Sequence, residues 1–198
     1  MKEQMRPTGN PQGKGMVPVL DQLHAVAPWN VTAKSPEQIL RDYCLSSLVL
    51  SAMFKFRVVP GNIYFLYRVG AEWQLSLISP EEWGGRVPGA PVACCELASD
   101  MTWSITLTEN VRDDEALIAA LQQFMGGFAD RLASAQTLES SLPVYEIDLP
   151  YQQRMMATAL SASLRSSLVL SGLSGGGSQQ WLQRFGSDAL LGFDALQR

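Results

Sequence analysis

The sequence has little of what catalytic and metal sites usually require. One histidine, His24, and three cysteines, Cys44, Cys94 and Cys95, occur in 198 residues. A Ser–His or Cys–His mechanism would have to use His24, and no spacing ties that residue to a serine or cysteine partner. A zinc site would need carboxylates to complete it, and the adjacent Cys94 and Cys95 point to opposite faces of a strand. The sequence therefore predicts no catalytic residue, no metal site and no cofactor, and favours a non-enzymatic protein.

Charge and long apolar runs are also scarce. Charged residues make up 17% of the chain and the formal net charge is −4, which disfavours duplex nucleic acid and anionic membranes as partners. No run approaches the roughly 20 apolar residues of a membrane span, and no apolar run of a secretory signal follows the first residues. An odd number of cysteines without framework spacing is typical of reduced thiols. These features predict a soluble cytoplasmic protein whose low surface charge favours a protein partner, with homo-oligomerisation as one form of it.

Two further motifs have structural explanations. Residues 9–15 resemble a phosphate-binding loop, but three residues separate the first glycines, and Gly15 stands where a hydroxyl would bind Mg²⁺. A flexible Gly/Pro-rich arm explains this stretch better. The adjacent acids at 81–82 and 113–114 precede predicted helices, where carboxylates favour the positive end of the helix dipole.

The pattern along the chain predicts three regions: a largely irregular arm over residues 1–34, one α+β domain over 35–170, and a Gly/Ser linker with an apolar tail over 171–198. Ser35 and Gln38 predict a capping box for a helix that ends near Ala52. Further helices are predicted after residues 113–115 and from about Pro150. Strand-like segments are 54–59, 63–68, 73–77, 92–96 and 101–107. We expect an antiparallel β-meander of about four or five strands packed against helices, with a flexible arm and tail.

The C-terminal tail carries much apolar surface after the linker, including Trp181, Leu182 and Phe185. Such a segment on a tether can bind a groove of a partner protein. The favoured interpretation is that it folds back onto its own core, since large exposed apolar patches are uncommon in monomers.

Three sequence blocks carry a resemblance. They are P-G-N-I-Y-F-L-Y at 60–67, S-P-E-E-W-G at 79–84 and D-M-T-W at 100–103. Together they resemble an uncharacterised domain-of-unknown-function family with bacterial and eukaryotic members, which shows P-G-N-I-Y-x-L-Y, S-P-x-E-W-G and D-x-S/T-W blocks at similar spacing. The resemblance implies a shared β-meander and no established activity.

The sequence leaves three functions open. The favoured one is a non-enzymatic protein-binding or adaptor protein, acting through the sheet surface or the tail. The first alternative is a small-molecule binder or enzyme whose groove is lined by aromatic residues and one acid: Tyr64, Tyr67, Glu82, Trp83 and Trp103. The second is weak single-stranded nucleic-acid binding, because basic residues are interleaved with aromatic ones over 54–68.

Overall fold

The computed structural model describes residues 28–144 and 148–185, and for residues 183–185 it describes the main chain only. The helices within these residues are α1 (Pro36–Ser51), a 3₁₀ helix (Glu109–Asp113), α2 (Glu115–Ser134), α3 (Leu138–Ser141), α4 (Tyr151–Leu170) and α5 (Ser178–Phe185). The strands are β1 (Ile63–Val69), β2 (Glu72–Ser76), β3 (Ala90–Leu97) and β4 (Trp103–Leu107). The predicted glycine-rich motif at 9–15, His24 and the apolar residues after 185 lie outside the described residues.

The four strands form one antiparallel sheet in the order β2-β1-β3-β4, so the predicted α+β class is confirmed. Two hairpins, β1–β2 and β3–β4, lie side by side with β1 next to β3. The chain therefore passes from β2 across β1 to reach β3, and residues 77–89 make this crossing. In the expected meander β3 would lie beside β2, but β3 pairs with β1 instead.

The helix starts follow from local chemistry, as the sequence predicts. The Ser35 hydroxyl accepts from Gln38 N, and the Gln38 side chain accepts from Ser35 N, which completes the predicted capping box of α1. Asp114 caps α2 by accepting from the N–H groups of Ala116 and Leu117. Pro150 precedes α4, where its missing N–H costs nothing because the first N–H groups of a helix lack intrahelical partners.

The helices pack on one face of the sheet. Alternate residues of each strand point to that face, including Tyr64 and Leu66 of β1 and Trp103 of β4, all of them buried. α1 lies closest to the sheet, and its residues Cys44 and Leu48 are also buried. On the other face, Ile63 of β1 is more than half exposed. This asymmetry decides which strand residues are available to a partner.

The predicted strand at residues 54–59 is wrong. Only Met53 reaches the sheet, through Met53 N–H to Trp73 O at 2.8 Å and Leu75 N–H to Met53 O at 3.1 Å. Phe54 and Val58 are nevertheless buried, as the period-two pattern requires. The alternation of residues 54–59 therefore predicted correctly which side chains point inward. Their main chain, however, has no neighbouring strand among the described residues with which to form hydrogen bonds.

The segment at 79–84 forms hydrogen-bonded turns in place of the predicted turn of helix. Its capping pair is present, since Glu82 N–H donates to Ser79 Oγ at 3.3 Å and the Glu82 carboxylate accepts from Ser79 N–H at 2.8 Å. Gly84 and Gly85 have positive φ, so the chain turns away before a second turn of helix can form.

The predicted flexible linker is held against the core over residues 171–178. Ser171 Oγ accepts from Lys34 N–H and donates to Lys34 O, both at 2.9 Å. Further along, Gly175 N–H donates to Glu139 Oε1 at 2.7 Å, and Ser178 N–H donates to Gln136 O at 3.3 Å. The Gly/Ser composition indicates conformational freedom, but these bonds to distant residues fix the segment in place.

One polar cluster joins three parts of the fold: the segment before α1, α1 itself and the β3–β4 turn. Lys34 Nζ lies 2.6 Å from Asp42 Oδ2 of α1 and 2.6 Å from Asp100 Oδ2 in the β3–β4 turn. The other oxygen of Asp100 accepts from Thr102 N–H at 3.1 Å and Thr102 Oγ1 at 2.6 Å. Burial works to lower the pKa of Lys34, but hydrogen bonds to Asp100 and Asp42 raise it overall. Burial raises the pKa of Asp42, whereas the bonds to Lys34 and Thr102 outweigh burial and lower that of Asp100.

Replacing Lys34 by methionine should lower the free energy of unfolding by about 2 kcal/mol near neutral pH, because two part-buried carboxylates lose their shared cation. The loss should shrink as pH falls below the ordinary carboxyl value of 3.8, where protonation removes their repulsion. Urea unfolding at several pH values measures this, with the exposed Lys55→Met as the control. An equal loss for both variants would show that the cluster contributes nothing specific.

Two glycines should respond in opposite directions to alanine. A Cβ at Gly89 would lie 2.2 Å from the main-chain oxygen of Arg68, so Gly89→Ala should destabilise by about 2 kcal/mol by forcing β1 and β3 apart. A Cβ at Gly126, inside α2, would meet nothing within 4 Å, so Gly126→Ala should stabilise by about 1 kcal/mol through helix propensity. Thermal melts of the two variants check the pair. A loss of stability in Gly126→Ala would mean that α2 packs more closely there than described.

Candidate functional site

The residues of the predicted aromatic groove lie in two separate places. Tyr64 and Trp103 face the helices and meet edge to face, with ring centroids 5.5 Å apart. The Phe56 ring stacks on Tyr64 at 5.7 Å, and the Tyr64 hydroxyl accepts from Val59 N–H at 2.7 Å. Both Tyr64 and Trp103 are buried, so they belong to the core that supports the sheet.

The remaining groove residues lie on the opposite face, under the crossing segment 77–89. The buried Tyr67 donates its hydroxyl to Ile78 O at 2.8 Å, and burial raises the pKa of that hydroxyl. Trp83 is half-buried beside Tyr67; its proximity lowers the Tyr67 pKa in opposition to burial, although the indole N–H has no well-aligned acceptor among the described residues. Glu82 is exposed and occupied in capping Ser79. The structure therefore does not join these residues with Tyr64 and Trp103 in one cavity.

The tail residues that are candidates for partner binding also differ in what the structure shows of them. Trp181 is 6% exposed and packs in the core, and Leu182 is partly buried against it. α5, which carries them, lies against α2. The Phe185 side chain and all residues after 185 lie outside the described part. Within that part, Trp181 contacts its own chain, as the fold-back interpretation expects.

The aromatic rings of residues 54–68 that would stack on nucleic-acid bases are mostly buried in the protein. Phe54, Tyr64 and Tyr67 are all buried. Base stacking requires exposed ring faces, so these rings cannot serve it in this conformation.

Within the described part of the chain, one edge of the sheet is open. On the β2 side, Met53 covers the edge through its two main-chain bonds. On the β4 side, Trp103 N–H points away from β3 and donates to Ser46 Oγ of α1 at 3.0 Å. Because strand residues alternate, the N–H and C=O groups of Ile105 and Leu107 also face outward, and among the described residues they have no hydrogen-bond partner.

A second surface is a cleft between α1, α2 and the end of β2. Its larger part has a volume of about 450 Å³, and a smaller part of about 270 Å³ adjoins it through Trp73, Phe124 and Arg131. The walls are mixed apolar and hydroxyl-bearing; the larger part is lined by Tyr43, Ser47, Leu50, Ser51, Trp73, Phe124, Arg131, Ser141, Pro143 and Leu149. The Tyr43 hydroxyl donates to Ser141 O, so it closes one side of the cleft.

The charged residues among the described lining of this cleft are both arginines. Arg68 lies in the smaller part with its guanidinium carbon 4.4 Å from the centre of the Trp73 ring, a cation–π contact. Arg131 lies in both parts. The Arg131 charge also reaches the buried Cys44, where it opposes the effect of burial that raises the thiol pKa to about 12. Sequence patterns do not reveal this site, because its residues come from five helices and strands (α1, β1, β2, α2 and α3) and no local motif joins them.

Other site types find no support in the described residues. No group of three or more His, Cys, Asp or Glu side chains there is placed to hold a metal ion. Cys44 and Cys95 are buried and Cys94 is half-buried, all as free thiols, and burial raises the pKa of each. None of the helices over these residues is long and apolar enough to cross a bilayer.

Trp181→Ala should lower the free energy of unfolding by about 3 kcal/mol, since it removes a large buried ring and leaves a cavity between α5 and α2. Urea unfolding measures the loss, and the exposed Gln180→Ala on the same helix is the control. Unchanged stability in Trp181→Ala would mean that α5 leaves the core in solution, which would restore the partner-binding interpretation of the tail.

Comparison with known proteins adds one positive finding. A family model described as protein of unknown function (DUF2452) matches residues 26–127, just over half of the chain. The match includes all three sequence blocks, the Lys34 cluster and the open edge of β4, while Arg131 of the cleft lies beyond it. No solved structure matches the chain. The chain belongs to the DUF2452 family of proteins of unknown function, as the resemblance to a domain-of-unknown-function family predicts.

Proposed function

We propose that this protein is a non-enzymatic adaptor that binds an extended segment of a partner protein along β4. The observation that carries the proposal is that the N–H and C=O groups of Ile105 and Leu107 point away from β3 and have no hydrogen-bond partner among the described residues. A partner strand placed there would extend the sheet by main-chain hydrogen bonds, a recurrent mode of peptide recognition.

The chemistry of β4 supports this role. Natural edge strands usually carry charges, prolines or bulges that prevent pairing with other chains. β4 reads W-S-I-T-L, with no charge and no proline, and its pairing with β3 is regular from Leu97–Trp103 to Ala93–Leu107. The opposite edge, at β2, is partly occupied by Met53. Over residues 28–144 and 148–185, the unprotected edge is therefore that of β4.

The side chains around the edge define the partner's character. Ile105 and Leu107 point to the helix face and are half-buried, whereas Ser104 and Thr106 are exposed on the other face. The side chains of an added strand would likewise alternate between the helix side and the exposed side of the sheet. We expect a partner segment with alternating apolar and small polar residues, its apolar side chains on the helix side.

Proline at position 105 gives a selective test. The Ile105 N–H faces away from β3, so Ile105→Pro removes no hydrogen bond within the sheet, while its ring blocks an added strand. The matched control is Ile105→Val, which keeps the N–H. Pull-down from a nuclease-treated native lysate should capture a partner with the wild-type and Ile105→Val chains and lose it with Ile105→Pro. Circular dichroism should show all three chains folded.

The captured partner then allows a direct measurement. Its binding should slow hydrogen exchange at the amides of Ile105 and Leu107 and leave those of Ser104 and Thr106, already bonded to β3, unchanged. Retention of the partner by folded Ile105→Pro would contradict the proposal. Self-association that Ile105→Pro abolishes would also contradict it, because the occupant of the edge would then be a second copy of this chain.

A further inference from the structure

We propose that the cleft between α1, α2 and β2 binds a small organic anion, a carboxylate attached to a flat apolar or aromatic body. This inference is independent of the proposed adaptor role, since no residue of β4 lines the cleft.

The charged residues that line the described part of the cleft are both cations. They are Arg68 and Arg131, although the whole chain has 19 acids and 15 lysines and arginines. Among the described residues, neither arginine forms an ion pair with a carboxylate. Two arginines that line one cleft without an acidic neighbour among the described lining residues, in a chain of net charge −4, favour an anion as the complementary ligand.

The geometry of the arginines favours a carboxylate. A guanidinium presents a planar fork of N–H donors that matches the two oxygens of a carboxylate. Arg68 is held against the Trp73 ring at 4.4 Å, so part of the ordering that binding requires is already present. Arg131 is exposed where the two parts of the cleft join, so its guanidinium is open to an incoming ligand.

The apolar lining of the cleft indicates the chemistry of the ligand beyond its carboxylate. Trp73, Phe124 and Leu50 supply aromatic and aliphatic surface, and small-molecule sites are mostly of this kind, with few polar groups that fix orientation. The volume of about 450 Å³ lies within the range of about 300–1,000 Å³ that such sites occupy. The half-buried Ser47 adds a hydroxyl on the α1 side.

Isothermal titration calorimetry with 1-naphthaleneacetate and its neutral amide tests the inference on the full chain. The carboxylate should bind, and the amide should bind at least about tenfold more weakly because it forms no ion pair with the arginines. Affinity for the carboxylate should also fall as salt is raised.

Substitutions locate the binding. Arg131→Gln and Arg68→Gln should each weaken carboxylate binding by about tenfold and leave the weak amide binding unchanged. Arg165→Gln, an exposed arginine on α4 and absent from the cleft lining, is the matched control and should leave both affinities unchanged. Equal binding of acid and amide, unchanged affinity in both cleft variants, or no binding at millimolar carboxylate would each overturn the proposal.

Discussion

The ion pairs of Lys34 connect parts of the described fold that lie far apart in the chain. A single ammonium lies 2.6 Å from carboxylates on α1 and on the β3–β4 turn, and the main chain of the same residue bonds Ser171 after α4. Asp100 then organises its turn through Thr102, and the turn holds the buried Met101 at φ 66°. A left-handed conformation is costly for a methionine, so the surrounding contacts must hold it in place. The cluster thereby fixes where β4 begins.

Local chemistry allowed much of this fold to be predicted. The capping pair at Ser35 and the acids before α2 located two helix starts, because such residues satisfy N–H groups that no helix can satisfy internally. The turn at 60–62 has a local cause of the same kind, since Gly61 adopts φ 81°, which most other residues avoid. In each case a few neighbouring residues contain the whole physical cause.

The predictions that failed depend instead on contacts between residues that are distant in the chain. Residues 54–59 alternate as a strand does, yet a strand also needs a neighbour, and only Met53 has one. The Gly/Ser stretch at 171–178 is ordered by bonds to Lys34, Glu139 and Gln136, none of which is near in sequence. The aromatic residues of the predicted groove lie on two faces of the sheet. Tyr64 and Tyr67 are three residues apart in β1, so strand alternation alone places them on opposite faces. The position of Trp83 beside Tyr67 depends on the segment that crosses β1, which no local pattern encodes.

Both proposed sites depend on α1. Ser46 binds the outward N–H of Trp103 at the start of β4, and its neighbour Ser47 lines the cleft. Successive helix residues point about 100° apart, so one rigid helix can present adjacent side chains to two different surfaces. α1 is anchored in the core by Cys44 and Leu48, both essentially inaccessible to solvent. The cleft lies towards β2 and the open edge belongs to β4, at opposite sides of the sheet, so a ligand and a partner strand would not compete for the same residues.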